Sequence, residues 1–244
     1  MKQIFALIAA VGLVFNAAHA EEPPNADQVR EALSRSMPDL PISSISESPV
    51  PGLYELVTGG QIYYITTDGR YVIEGSIIDV ERRLNLTQQR RGRTQLADIN
   101  AIGDSRMVLF EPEAGQDRGR TITVFTDTTC PYCSKLHQEV DGLLSQGIRV
   151  RYLLYPRAGL NSPAHRILES VWCAEDQQQA MTMAKAGQRI PELRCENPIE
   201  QHIEMARKVG LQGTPMIFLD NGLIIPGYRP GQELVKLLAS QPRI

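Results

Sequence analysis

The spacing of hydrophobic positions changes several times along the chain, and each change marks an element. Ala26, Val29, Leu33 and Met37 recur at helical spacing behind Asn25, a residue type that caps helices, and Pro38 and Pro41 close the run. A helix is expected over 25–37. The period then falls toward two. β-type runs occupy 53–58, 61–66 and 71–78, punctuated by Gly59-Gly60 and Asp68-Gly69, both hairpin signals. A segment of roughly 60 residues buries little core by itself, and a long edge strand needs cover. Pairing with a second copy of the chain is expected, with Gly75 in the last strand a candidate for close backbone approach at that contact, a β-bulge being the alternative.

Residues 81–101 read differently. Five arginines fall between Arg82 and Arg93, with Leu84, Leu86, Leu96, Ile99 and Ile102 spaced among polar residues. The expectation is a solvated linker helix over 81–105 whose arginines face water. Beyond it, strands are expected at 107–110, 121–125 and 148–155, and a helix over 131–145. Ser162-Pro163 opens a helix reaching Trp172, and another covers 177–186. Asn197-Pro-Ile-Glu200 reads as an Asx capping box with Gly210 as the stop. A hairpin, 215–219 with 223–225, turns at Asp220-Asn-Gly222, and 233–239 is the last helix.

The first residues stand apart. Lys2, an apolar run over 4–15 and the small-x-small Ala18-His19-Ala20 make a secretory signal, cleaved near Ala20. The run is short of the roughly 20 residues a membrane span needs. Cleavage removes Lys2 and no acid, taking the formal charge from −3 to −4. That mild acidity excludes nucleic acid as the main partner.

Four cysteines remain, at 130, 133, 173 and 195. An even number in an exported chain points to disulfides. One pair is the C-x-x-C motif Cys130-Pro131-Tyr132-Cys133; the other two are expected to bridge, Cys173 to Cys195. A four-cysteine zinc site is the rival reading, disfavoured by their spacing of 22. No metal or cofactor is called for. The motif follows the apolar run 121–125 and opens a helix, where exposed N–H groups and the helix dipole favour a thiolate, the form that attacks disulfides. Cys130, first and exposed, is the expected nucleophile. Cys133, one turn further in, is the expected resolving thiol.

The order β-β-α-β, helices, then β-β-α resembles a thioredoxin fold with a helical insertion, over 106–244. In such folds a cis-proline sits beside the dithiol, and Thr214-Pro215 stands at the start of an apolar strand. Residues 123–133, 150–156, Val171-Trp-Cys173, Gly213-Thr-Pro215 and 222–228 resemble the bacterial periplasmic disulfide isomerases of the DsbC/DsbG type. Residues 63–69 and 73–76 extend the likeness into the N-terminal half. The resemblance implies a cystatin-like α+β dimerisation domain over 21–80 and a homodimer whose two thioredoxin-like domains face a cleft. It also implies misoxidised exported proteins as substrates, chaperone activity and, in an oxidising periplasm, an inner-membrane thiol reductant. The Pro131-Tyr132 dipeptide resembles the DsbG branch; the second cysteine pair resembles DsbC.

Substrate is expected to contact Thr214, cis-Pro215 and Tyr132, with Pro131 and Tyr132 tuning the thiolate. Thioredoxins carry a buried acid six residues before the first cysteine; here that position is Val124. Asp127 is read as a turn cap, His137 as a surface residue, and Trp172, Tyr152 and Tyr155 as core. Three other functions stay open: a DsbG-like reductase or chaperone protecting single cysteines, a cysteine-independent holdase, and a DsbA-like monomeric oxidase. A C-x-x-C metal carrier is disfavoured by the later Thr-Pro.

Overall fold

Asn25 caps the first helix of the computed structural model, which describes residues 24–240. The signal segment and its cleavage point lie outside the described residues. The chain divides into two units, with the boundary between Gly75 and Ser76.

In the first unit, Asn25 Oδ1 accepts from the N–H groups of Asp27 and Gln28 while Gln28 Oε1 accepts from Asn25 N–H, closing a capping box. Helix α1 (Ala26–Ser36) lays Val29 and Leu33 against a four-stranded antiparallel sheet, β1 (Ile42–Glu47), β2 (Leu53–Thr58), β3 (Gln61–Thr66) and β4 (Val72–Ile73), in that order. Tyr54, Leu56 and Ile65 complete this core. Strand β1 is absent from the sequence reading. Its register shifts between Ile42 and Ser44, a bulge that brings Ile42 and Ile45 to the same core across an odd spacing and hides the period of two. The expected strand 71–78 shrinks to β4. Gly75 lies in a bend outside any strand, at φ +158°, and Ile78 pairs elsewhere.

The second unit opens with a two-stranded ribbon, β5 (Ile78–Asp79) and β6 (Leu84–Asn85). Helix α2 (Leu86–Asn100) follows, capped by Asn85 Oδ1 on Gln88 N–H. The helix is wet on one face only: Arg93 is exposed, as are Arg82 and Arg83 before it, but Thr87, Gln89, Gly92, Leu96 and Ile99 are buried. Gln89 Nε2 donates to the Asn221 carbonyl and Gln95 Nε2 to that of Val209. Gln89 is buried and Gln95 partly buried, and the amide nitrogen of each finds a backbone acceptor, which a hydropathy pattern does not reveal.

The main sheet has the order β11 (Ile224–Pro226), β10 (Met216–Leu219), β8 (Arg120–Thr126), β9 (Ile148–Leu154), β7 (Val108–Phe110). Only β8 and β9 pair in parallel; β10 and β11 form a hairpin, and β7 lies antiparallel to β9. The expected helix 131–145 divides into α3 (Pro131–His137) and α4 (Val140–Leu144). At the break Glu139 accepts hydrogen bonds from Tyr228 Oη and Gly231 N–H. Between β9 and β10 lie α5 (Pro163–Trp172), α6 (Gln177–Lys185) and α7 (Ile199–Lys208), and α8 (Gly231–Ala239) ends the unit. Helix α7 has no capping box. It begins at Ile199, whose N–H bonds to Asn197 Oδ1, while Asn197 Nδ2 is drawn to Glu169 and the Cys195 carbonyl.

Candidate active site

Strands β8 and β9 run parallel, with Thr126 opposite Leu154, so the turns that follow them meet at one end of the sheet. The turn after β8 is built around Asp127. This residue has no exposed surface; Oδ1 accepts from Thr129 N–H (2.7 Å) and Oγ1 (2.8 Å), and Oδ2 from Arg157 N–H (2.8 Å) and Nε (3.3 Å). Burial opposes its ionisation, but these bonds prevail and hold the carboxyl below its usual range. Asp127 thus locks the loop leading into Cys130.

Cys130 is the N-cap of α3, with Pro131 at the first helical position, where no amide hydrogen is needed. Its sulfur accepts from Cys133 N–H (3.4 Å), and its thiol donates to the Thr214 carbonyl (3.2 Å). Thr214-Pro215 is a cis peptide. The Thr214 hydroxyl is buried without a geometrically formed hydrogen bond, yet lies near enough to both sulfurs to favour their thiolates. Cys130 and Cys133 are free thiols. Cys130 is 2% exposed, against the exposed thiol expected, because the loop carrying Thr214 lies over it.

The two thiols differ electrostatically. Burial works against the Cys130 thiolate, but Thr214, the Cys133 thiol and N–H, and the Arg157 charge outweigh it and bring its pKa below the ordinary thiol value. Burial dominates at Cys133 and pushes its thiol up, with Lys185 opposing. The arrangement presents one activated sulfur and one held as a thiol.

Tyr132 is 61% exposed and stacks on Tyr228, with ring centroids 6.2 Å apart. Lys135 Nζ lies 4.6 Å from the Tyr228 ring centre, within cation–π range. An aromatic surface therefore flanks the dithiol.

His137 is not on the surface. It is 8% exposed, Nδ1 meets Tyr152 Oη and Nε2 meets Thr182 Oγ1, both at 3.0 Å. Thr182 donates its own hydrogen to the Gln178 carbonyl, so Nε2 carries the imidazole proton and Nδ1 accepts from Tyr152. Helix α6 covers the face of α3 that carries His137, a contact that α3 by itself does not show. Tyr152 is fully buried, and Tyr155 and Trp172 are partly buried against the core.

The sequence reading missed Arg157, Lys185 and Tyr228 as neighbours of the site. Arg157 was findable, since residues just after parallel neighbours meet. Lys185 lies four positions after Met181, on the apolar stripe of α6. Nothing local marks Tyr228.

Cys173 and Cys195 are bonded, with Cα atoms 5.8 Å apart, stapling the end of α5 to the segment before α7. No four-cysteine zinc site is formed, and among the described residues no cluster of three or more His, Cys, Asp or Glu could hold a metal. No helix among them is long and apolar enough to cross a membrane.

Residues 16–88 match the family model of the disulfide bond isomerase protein N-terminal domain, and residues 112–242 that of a thioredoxin-like domain. The thiol:disulfide interchange protein DsbC of Salmonella typhimurium is 35% identical over 243 residues, 98% of this chain and 96% of that protein. DsbC of Escherichia coli K12 is 36% identical over 80% of each chain, and DsbC of Haemophilus influenzae 31% identical over 92% of this chain and 96% of its own. A disulfide interchange protein from Neisseria gonorrhoeae shares the fold, with a TM-score of 0.51 at 24% identity, covering 57% of this chain and 98% of that one. With identity of this order running through both units and the dithiol seated at the mouth of α3, the chain belongs to the DsbC family of thiol:disulfide interchange proteins.

Proposed function

We propose that this chain is a periplasmic protein disulfide isomerase that rearranges incorrect disulfides in exported proteins. The observation that carries this is the Cys130 sulfur at the N-terminus of α3, its thiolate favoured, facing the Thr214-Pro215 peptide. Cys130 attacks a wrong substrate disulfide and forms a mixed disulfide. The freed substrate thiol attacks elsewhere and releases the enzyme reduced. Cys133 resolves complexes that stall. An extended substrate segment pairs with the backbone at Thr214 and Pro215 and lies on Tyr132. Pro131 and Tyr132 tune the thiolate from the first turn of α3.

The working form is a homodimer joined through the N-terminal unit. Strand β4 is the edge of its sheet, and Tyr71, Val72 and Ile73 are 58%, 47% and 45% exposed there, an apolar edge that a second copy would cover. Gly75 follows this edge and is the candidate for close approach. Export ends with cleavage near Ala20, and an inner-membrane thiol reductant keeps the dithiol reduced. The test is reactivation of a scrambled multi-disulfide protein in a glutathione buffer by residues 21–244 and by the Cys130→Ala variant. Loss of reactivation in the variant supports the reading; equal reactivation overturns it. The Pro131-Tyr132 dipeptide favours a second reading, a DsbG-like reductase and chaperone. That reading gains if the chain reduces small disulfides and prevents aggregation of a cysteine-free client but reactivates nothing.

A further inference from the structure

The resolving step requires Cys133 to lose its proton inside the protein, where its thiol is 1% exposed and burial opposes the thiolate. The acid found in thioredoxins is absent: Val124 fills that position, fully buried between Tyr152 and Ile217 of the neighbouring strands. A different charge has been brought in from the helical insertion. Lys185, at the end of α6, is 6% exposed, and its Nζ donates to Thr126 Oγ1 (2.6 Å) and to the Asp127 carbonyl (2.8 Å). Both acceptors are uncharged. Burying an ammonium on neutral partners is costly, and burial pulls its pKa down to about 8, against the attraction of Cys133, Asp127 and Cys130.

We propose that Lys185 is the electrostatic partner of Cys133, a positioning residue whose ammonium stabilises the Cys133 thiolate when a mixed disulfide is resolved. The proposal rests on the reading that Cys130 and Cys133 are the reacting pair. The charged and titratable groups around Lys185 are Asp127 and Arg157, which pair with each other, the two cysteines, and the neutral His137. A cavity of about 160 Å³ borders Lys185, lined also by Ser134, His137, Thr182 and the carboxyl of Asp141, and has room for a water that could take up the proton.

Cys133 gives its proton to water, and its sulfur attacks Cys130 Sγ. The bond between Cys130 and the substrate sulfur breaks, and its electron pair leaves with that sulfur, which then takes up a proton. The two enzyme thiols end as a disulfide, and the substrate disulfide ends as two thiols. Isomerisation by Cys130 alone does not pass through this step. Lys185 therefore acts on reduction and escape rather than on the first attack.

The experiment mixes reduced residues 21–244 with 5,5′-dithiobis(2-nitrobenzoate) in a stopped-flow instrument. The first thionitrobenzoate released reports attack by Cys130 and the second reports resolution by Cys133. In Lys185→Met the second phase is expected to slow by about tenfold or more at neutral pH, with its pH midpoint raised by about one unit. The first phase should stay near the wild-type rate, and Lys185→Arg should restore the second phase. A second phase in Lys185→Met with wild-type rate and midpoint overturns the proposal. A wild-type protein with no Cys130 phase would instead overturn the dithiol reading itself. Should Lys185→Met not fold, the wild-type protein still decides. Lys185 is one of four lysines in residues 21–244, and NMR of Cε-labelled lysine follows its titration. Coupling predicts different midpoints with the dithiol reduced and oxidised; identical midpoints overturn it.

Discussion

Gly92 in α2 and Gly222 in the β10–β11 turn meet backbone against backbone: a Cβ on Gly92 would stand 2.0 Å from the Gly222 carbonyl oxygen. A Cβ on Gly222 would stand 2.5 Å from Arg93 Cγ and 2.9 Å from the Gln89 carbonyl oxygen. Helix propensity favours alanine over glycine in mid-helix by about 1 kcal/mol. At Gly92 the contact wins, because overpacking costs typically about 1–3 kcal/mol and the nearest atom is a backbone oxygen, which cannot swing aside as a side chain can. Gly92→Ala is expected to lower the urea midpoint despite the better helix former. An unchanged or raised midpoint would show that α2 can lift from the turn at no cost.

The cysteine variants should separate. Cys130→Ala is expected to abolish repair of scrambled disulfides, while Cys133→Ala keeps part of it and accumulates mixed disulfides. Reactivation assays and intact mass under acid quench measure both. Accumulation in Cys130→Ala instead would reverse the roles of the two thiols.

Two buried histidines are expected to make stability fall in acid. His202 Nδ1 accepts from Leu154 N–H (3.0 Å), so Nε2 carries the proton and donates to the Arg106 carbonyl (2.9 Å). A second proton would set N–H against N–H. Burial pulls both His137 and His202 down to about 4. The unfolded chain, near 6.5, then binds more protons between pH 4 and 6.5, so stability rises with pH across that window and is lost as pH falls through it. The loss is on the order of 3 kcal/mol for each histidine. Urea titrations from pH 4 to 7 should show this slope, and His202→Gln should flatten it; a His202→Gln slope equal to wild type removes His202 from the account.

The Cys173–Cys195 bridge closes a separation of 22 residues. Loop-closure entropy assigns such a link about 3 kcal/mol. Replacing both cysteines by serine should cost that order of stability in urea. The first-phase reactivity of Cys130 should remain, since the staple joins α5 to the segment before α7 and not to α3. Loss of that reactivity in a folded variant would tie the staple to the site.

The exposed edge at β4 yields a test of assembly. Ile73→Lys is expected to shift sedimentation from dimer to monomer and to reduce reactivation of scrambled protein, while reduction of a small disulfide persists. A variant that remains dimeric places the interface elsewhere.

Local chemistry determined a good deal without any structure. Asn25 with its helical stripe marked α1, and Gly59-Gly60 marked the β2–β3 hairpin of the first unit, because caps and turns depend on residues a few positions apart. The strand–C-x-x-C–helix order pointed to the candidate site for the same reason, whereas Thr214-Pro215, 84 positions from Cys130, was joined to it only through the resemblance to thioredoxin-like folds. Tertiary structure decided the rest. It buried Cys130 beneath the Thr214 loop, turned His137 into a core residue beneath α6, and placed Lys185 beside a dithiol some fifty positions away in the chain. It also converted an arginine-rich segment into a packed helix, because Gln89 and Gln95 found distant carbonyls and Gly92 a distant turn. A side chain's own neighbours in sequence fix its backbone preferences. Its burial, charge partners and reactivity depend on which other element covers it, and that is set only when the sheet and the helical insertion close.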